Sequence, residues 1–238
     1  VDIKMNREMA LNAAEGLSKK YNWLPGEYRT AVSFDADRNL QTFVELEGGG
    51  LDTFKMLYQD GLYYPYVWKV RHFQEQNPNE MEIWFTPAGK PYSFRQKLGE
   101  DEPGAALSRD SAFAIAMAGL TDEWSINLDE YELVEESEKT QPGGRVDHSF
   151  TYQRAGFSIG ENGFLRFNLK VQGDVLGEYN HYAQVPEAFK RRFSEMRSAN
   201  DTIAFSATMA IGVLYVLFGC LVGTFMLLRQ RRVLWKKA

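Results

Sequence analysis

Met5, Met9, Ala13, Leu17 and Tyr21 recur every four residues, with Ala10 and Ala14 widening the stripe. That spacing predicts an amphipathic helix over 4–21, ended by Pro25-Gly26. Strand-like runs follow at 28–34 and 40–46, separated by the turn-forming Asp35-Ala36-Asp37. Gly48-Gly49-Gly50 breaks the pattern. It is not a phosphate loop, because no Gly-Lys-Ser/Thr follows to hold phosphates and magnesium. A short helix over 52–59 leads into a strand over 66–74. Runs at 82–85 and 92–97 then form a hairpin across Thr86-Pro87-Ala88-Gly89. The charged, helix-breaking segment Gly99-Glu100-Asp101-Glu102-Pro103-Gly104 predicts a boundary between two lobes.

A similar order begins again beyond it. Ser108 is a good N-cap for a helix to about residue 120, with Ala112, Ile115, Ala116 and Gly119 on one face. Strands are predicted over 128–134 and 146–154, across a polar loop containing Pro142-Gly143-Gly144. Leu165, Phe167, Leu169 and Val171 alternate with Arg166, Asn168 and Lys170, the clearest strand signal in the chain. Gln172-Gly173-Asp174 turns the chain and 175–185 returns it. The expected class is α+β: two similar helix-plus-antiparallel-sheet lobes, over 1–100 and 105–185, followed by a single transmembrane α-helix.

The last element starts at Val185-Pro186, where proline loses no needed hydrogen bond. Phe189, Phe193 and Met196 make an i, i+4, i+7 stripe in a juxtamembrane helix over 186–202. No proline or glycine lies between Glu187 and Ala210, so this helix is expected to run unbroken and rigid into the bilayer. Residues 203–228 are 26 consecutive uncharged residues. About 20 apolar residues cross a ~30 Å hydrocarbon layer, so this run is long enough to span it. Within it Gly219 and Gly223 form a GxxxG pair, and Ala204, Thr208 and Gly212 continue small residues at spacing four. Such a face lets other transmembrane helices approach closely. The lone cysteine, Cys220, lies inside the span and reads as a small apolar side chain.

Charge orients the span. Arg229, Arg231, Arg232, Lys236 and Lys237 make 229–238 a basic tail, which the positive-inside rule places in the cytoplasm with 1–202 outside it. Lys190, Arg191, Arg192 and Arg197 at the other end narrow that bias. Without the five tail charges, 22 basic residues face 32 acidic ones. That acidic balance argues against a nucleic-acid partner. The single cysteine excludes an intrachain disulfide framework and any Cys-based zinc site. His72, His148 and His181 fall on the apolar sides of their strands and make no metal-binding spacing, so they read as core residues. Ser111 and Ser149 lack a nucleophile-elbow setting. Glu135-Glu136-Ser137-Glu138 reads as a solvated loop, and Trp23, Trp68, Trp84 and Trp124 as packing residues. No catalytic constellation and no cofactor site emerges.

Several junctions nevertheless form a recognisable series. Ser108-Arg109-Asp110-Ser111-Ala112 is followed by Asp147-His148-Ser149-Phe150 and Val171-Gln172-Gly173-Asp174. Val185-Pro186-Glu187-Ala188-Phe189 and Met196-Arg197-Ser198-Ala199-Asn200 complete it before the span. The succession resembles the N-terminal extracytoplasmic region, with its following membrane helix, of some bacterial CPBP (CAAX-type, Abi-like) intramembrane proteases. The helix-then-strands unit is similar to PepSY-type domains. The resemblance is best over 108–228 and weaker in the first lobe.

It implies a noncatalytic sensor, gating or assembly domain outside the bacterial cytoplasmic membrane, attached to a metalloprotease core. The family's glutamates and histidines sit on later membrane helices, so no catalytic residue is carried over to this chain. The Val1 start and the unmatched GxxxG face are read as signs of a fragment. Expected partners are the bilayer, other membrane helices of the parent polypeptide, and a peptide substrate added along an exposed strand edge. The alternatives are a PepSY-like sensor or peptide-binding module of a single-span signalling or transport protein, and a structural subunit of a membrane complex.

Overall fold

The computed structural model describes residues 2–23, 26–120, 124 and 126–230. Helix α1 (Arg7–Lys20) starts where the Asn6 side chain accepts the Met9 N–H. Glu8 in its first turn and Lys19 and Lys20 in its last complement the helix dipole. Its buried line runs through Ala10, Ala14 and Leu17, whereas Met9 is 48% exposed. The alanines, expected only to widen the stripe, are its centre because their small side chains let the helix lie close to the sheet.

That sheet has eight strands, all neighbours antiparallel: β1 (Arg29–Ala36), β2 (Tyr66–Phe73), β3 (Glu80–Phe85), β4 (Pro91–Lys97), β5 (Tyr131–Thr140), β6 (Val146–Arg154), β7 (Phe164–Gln172) and β8 (Val175–Gln184). Their spatial order is β1-β2-β3-β4-β8-β7-β6-β5. Each half of the chain therefore builds a meander, and the last strands of the two meanders hydrogen-bond to each other. Helix α1 packs on β1 and β2, and α4 (Arg109–Gly119) on β6, β7 and β8. Ser108 caps α4 through its side chain, at the residue the sequence singled out.

One apolar cluster lies beneath both helices. It joins Val70, Ile83 and Phe94 of the first meander to Phe150, Phe167 and Leu169 of the second. The opposite face of the sheet is polar. Lys69 meets Glu82 at 2.6 Å, Arg95 meets Glu178 at 3.3 Å, and Arg71 pairs with Glu80. An antiparallel sheet covered on one side and wet on the other gives this alternation.

Two expectations about elements fail. Residues 40–46 are not a strand but most of helix α2 (Arg38–Leu46), followed by α3 (Gly50–Gln59). Asp37 is the cap rather than the end of a turn, its Oδ1 accepting the Leu40 N–H at 3.0 Å. Leu40, Phe43 and Val44, at i, i+3 and i+4, are at most 1% exposed. The seven residues Leu-Gln-Thr-Phe-Val-Glu-Leu fit both periods, and what they bury against decides. Here the target is the β6–β7 loop: a methyl group added to Gly163 would meet the Phe43 ring at 2.6 Å. The second correction concerns Glu135-Glu136-Ser137-Glu138, which lies in edge strand β5 rather than in a loop. The strand predicted over 128–134 opens with a single 3-10 turn, Leu128–Glu130.

The chain divides into two compact units, Val1–Pro186 and Glu187–Ala238. The second contains one helical rod, Glu187–Arg229, 43 residues long. It comprises α5 (Glu187–Leu214), a π-helical stretch (Tyr215–Val222) and α6 (Gly223–Arg229). An 18-residue apolar window in it is entirely unburied, and its length and composition suffice to cross a membrane. The hydroxyls of Thr202, Ser206 and Thr208 donate to carbonyls four residues back, at 2.8–2.9 Å. Each is thus satisfied within the helix, as a hydrocarbon environment demands.

Candidate functional site

The seam between the meanders is short. β4 and β8 pair only at Phe94↔Tyr179 and Arg95↔Glu178. Beyond that point side chains replace the ladder. The His181 backbone N–H donates to Ser93 Oγ at 3.1 Å, and the His181 ring approaches the Tyr92 carbonyl through Nδ1, also at 3.1 Å. The carbonyl can only accept, so Nδ1 carries the proton. Nε2 then accepts from the Tyr179 hydroxyl at 3.2 Å. Tyr92 stacks on the imidazole with ring centroids 4.6 Å apart and planes 7° from parallel.

Tyrosines extend this arrangement. Tyr64 meets Tyr92 edge-on at 5.2 Å, and its N–H donates to the Tyr92 hydroxyl. The Tyr63 hydroxyl donates to Asp37 Oδ2 at 2.9 Å. Two cavities flank the stack. One, of about 280 Å³, has Lys90, Asn127, Glu130 and Arg154 on its rim. The other, of about 200 Å³, is bordered by Asp35, Asp37, Trp84 and Asn180. Tyr64, Tyr92 and His181 line both.

Burial pushes the His181 imidazole down to about 4, against the opposing pull of the Tyr92 carbonyl. Burial likewise pushes the Tyr92 and Tyr179 hydroxyls up, so they stay protonated donors at neutral pH. A neutral imidazole with both nitrogens occupied braces the seam, and Lys90, Asn127, Glu130 and Arg154 on the cavity rim are the polar groups a small ligand could meet.

The other two histidines lie apart from this cleft. His72 is buried under Tyr28, with Thr30 Oγ1 3.0 Å from its Nδ1, and burial lowers its pKa. His148 donates from Nε2 to the Leu107 carbonyl at 2.9 Å. Among the described residues no three His, Cys, Asp or Glu side chains stand together as a metal site. Trp23 and Trp124 sit in the core, while Trp84 lies on the polar face with the cations of Lys69 and Arg95 5.3 and 5.7 Å from its ring.

The sequence reading missed Arg145. It is 2% exposed, and its Nε donates to Asp147 Oδ1 at 2.8 Å. Its Nη1 donates to the carbonyls of Gly99 and Glu102 at 3.3 and 3.0 Å. Gln141 completes the carboxylate's shell at 2.7 Å. Burial acts to raise the Asp147 pKa, but Arg145, Gln141 and Lys170 outweigh it and hold it below the usual range. The segment 99–104, expected only as a lobe boundary, is thereby tied down to the second meander. An Arg-x-Asp pair at a strand start, where alternate residues share a face, was the available signal.

In the helical rod, Gly212 lies in α5, Gly219 in the π-helical stretch, and Gly223 opens α6. A methyl group added at Gly212 or Gly223 would meet nothing within 4 Å, so these positions are open notches. The π geometry changes the rotation per residue, so the spacings of seven and four do not set all three on one straight line. Arg229 ends α6, whereas Arg231, Arg232, Lys236 and Lys237 lie outside the described residues.

Comparison with protein-family models, with curated proteins and with solved structures finds no match to this chain.

Proposed function

We propose that this chain is a membrane-anchored, noncatalytic α+β domain that acts by binding, as the extracytoplasmic sensor, gate or assembly element of a CAAX-type intramembrane protease. The observation that carries the anchoring is the 43-residue rod with its wholly unburied apolar window. A binding role is supported by the paired cavities about Tyr92 and His181, whose imidazole burial keeps neutral. Parentage in a protease rests on the sequence junctions, and orientation on the basic residues after the span.

Cysteine labelling tests the anchoring and orientation. In a Cys220→Ser background, Asp174→Cys is expected to react with a membrane-impermeant maleimide on intact cells, and Gln230→Cys only after lysis. The reverse pattern, or recovery of the chain in the soluble fraction without detergent, overturns the reading. The accessory role has its own test in the parent protein. Removing residues 2–186 is expected to leave peptide-bond hydrolysis in place while altering which reporter proteins are cut. Complete loss of hydrolysis in a correctly inserted protein would instead assign the chemistry to this domain.

A further inference from the structure

The eight-stranded sheet ends in two unpaired edges, β1 and β5. They are defended differently. β5 carries Glu132, Glu135, Glu136, Glu138 and Lys139, and its register breaks between Leu133 and Glu135. Charge and bulges are the common means by which an edge refuses a further strand. β1 has neither along its centre. Its eight residues pair with β2 in unbroken register from Arg29↔Phe73 to Ala36↔Tyr66. Positions 30–34, Thr-Ala-Val-Ser-Phe, carry no charge and no proline, and Phe34 is 38% exposed.

The β1 sequence is also complementary to itself. A two-fold axis through Val32, with two copies antiparallel, sets Val32 opposite Val32 and Thr30 opposite Phe34. It also sets Arg29 of each copy opposite Asp35 of the other. Alternate residues share a face. The Arg–Asp pairs therefore fall together on the polar side of the extended sheet, and the Thr, Val and Phe positions on the helix-covered side. The same operation about Glu135 in β5 opposes Glu132 to Glu138 and Glu135 to its own copy, which repel. In the single chain Arg29 is held by Glu75, an exposed pair at 2.6 Å that exchanges at little cost.

We infer that β1 is a self-association edge: two copies of this chain pair antiparallel about Val32 and continue the sheet across an isologous interface. An edge of eight residues buries less than a standard interface, so the dimer is to be sought in membranes and not in dilute detergent.

Full-length chain in native membranes, in a Cys220→Ser background, provides the test. Facing Cα atoms in an antiparallel ladder lie ~4.5–5.5 Å apart, within reach of a disulfide. Val32→Cys is therefore expected to give an oxidised dimer, and Leu133→Cys in β5 none. Two differently tagged copies are expected to co-purify. Arg29→Glu or Asp35→Arg alone should reduce this about tenfold through two like-charge pairs, and the double exchange should restore it. Arg29 is exposed and Asp35 half-buried beside the second cavity, so restoration by the double exchange, which keeps both substitutions, separates the contact from any effect on the fold. Absence of a Val32→Cys dimer overturns the inference, as does equal linking through Leu133→Cys. So do linkage to a different protein and co-purification indifferent to the single charge reversals.

Discussion

Arg145→Ala is expected to destabilise the Val1–Pro186 unit by about 3–5 kcal/mol, the range for breaking a buried ion pair from one side. The guanidinium is 2% exposed, and the substitution strands more than its own charge. Asp147, also 2% exposed, keeps only Gln141 and the more distant Lys170, 3.4 Å away. The carbonyls of Gly99 and Glu102 lose their donor, so the 99–104 segment loses its hold on the second meander. Thermal melting of the detergent-solubilised chain, followed by tryptophan fluorescence, measures the loss. Pairing Arg145→Ala with Asp147→Asn in a double-mutant cycle separates the ion pair from the carbonyl contacts. Additive losses would show that Arg145 acts through the linker alone.

Acidification from pH 7 to pH 4 is expected to cost the same unit roughly 3 kcal/mol through His181. Its folded-state pKa is about 4 against an ordinary value of 6.5, and one unit is about 1.4 kcal/mol. The sign follows from which state binds the proton. The unfolded chain takes it up near pH 6.5 and the folded chain only near 4. The stabilisation is therefore complete above pH 6.5 and fades as pH falls toward 4. His72, lowered by its own burial, contributes in the same direction. His181→Phe keeps a flat ring against Tyr92 and removes the titrating group. Its melting temperature should be lower than that of the unsubstituted protein at pH 7 but should fall less steeply below pH 6.5. Parallel curves for the two proteins would show that the imidazole is charged in the folded state.

Most elements were legible because local patterns sufficed for them. The Ser108 cap, the alternation from Leu165 to Val171 and the turn at Gly173 each specify geometry within a few residues. The long apolar run was legible for the same reason, since length and absence of charge are properties of the segment alone. Residues 40–46 were misread because seven residues satisfy two periods, and only the β6–β7 loop, more than a hundred positions away, chooses between them. At Arg145 only the Arg-x-Asp spacing was visible, for a related reason. Nothing in its neighbourhood shows that a linker some forty residues earlier will supply two carbonyls to a buried guanidinium.

The seam illustrates the same division. The sequence by itself determined two successions of helix and antiparallel strands, an apolar rod, and a histidine on an apolar strand face. Periodicity and charge are short-range facts that each segment carries with it. Only the tertiary structure decided that β4 meets β8 and that the pairing stops after two residue pairs. It alone brought Tyr92 and His181, 89 positions apart, into one stack between two cavities. Such contacts arise when two apolar faces exclude water together, and the sequence of neither face records the partner it will find.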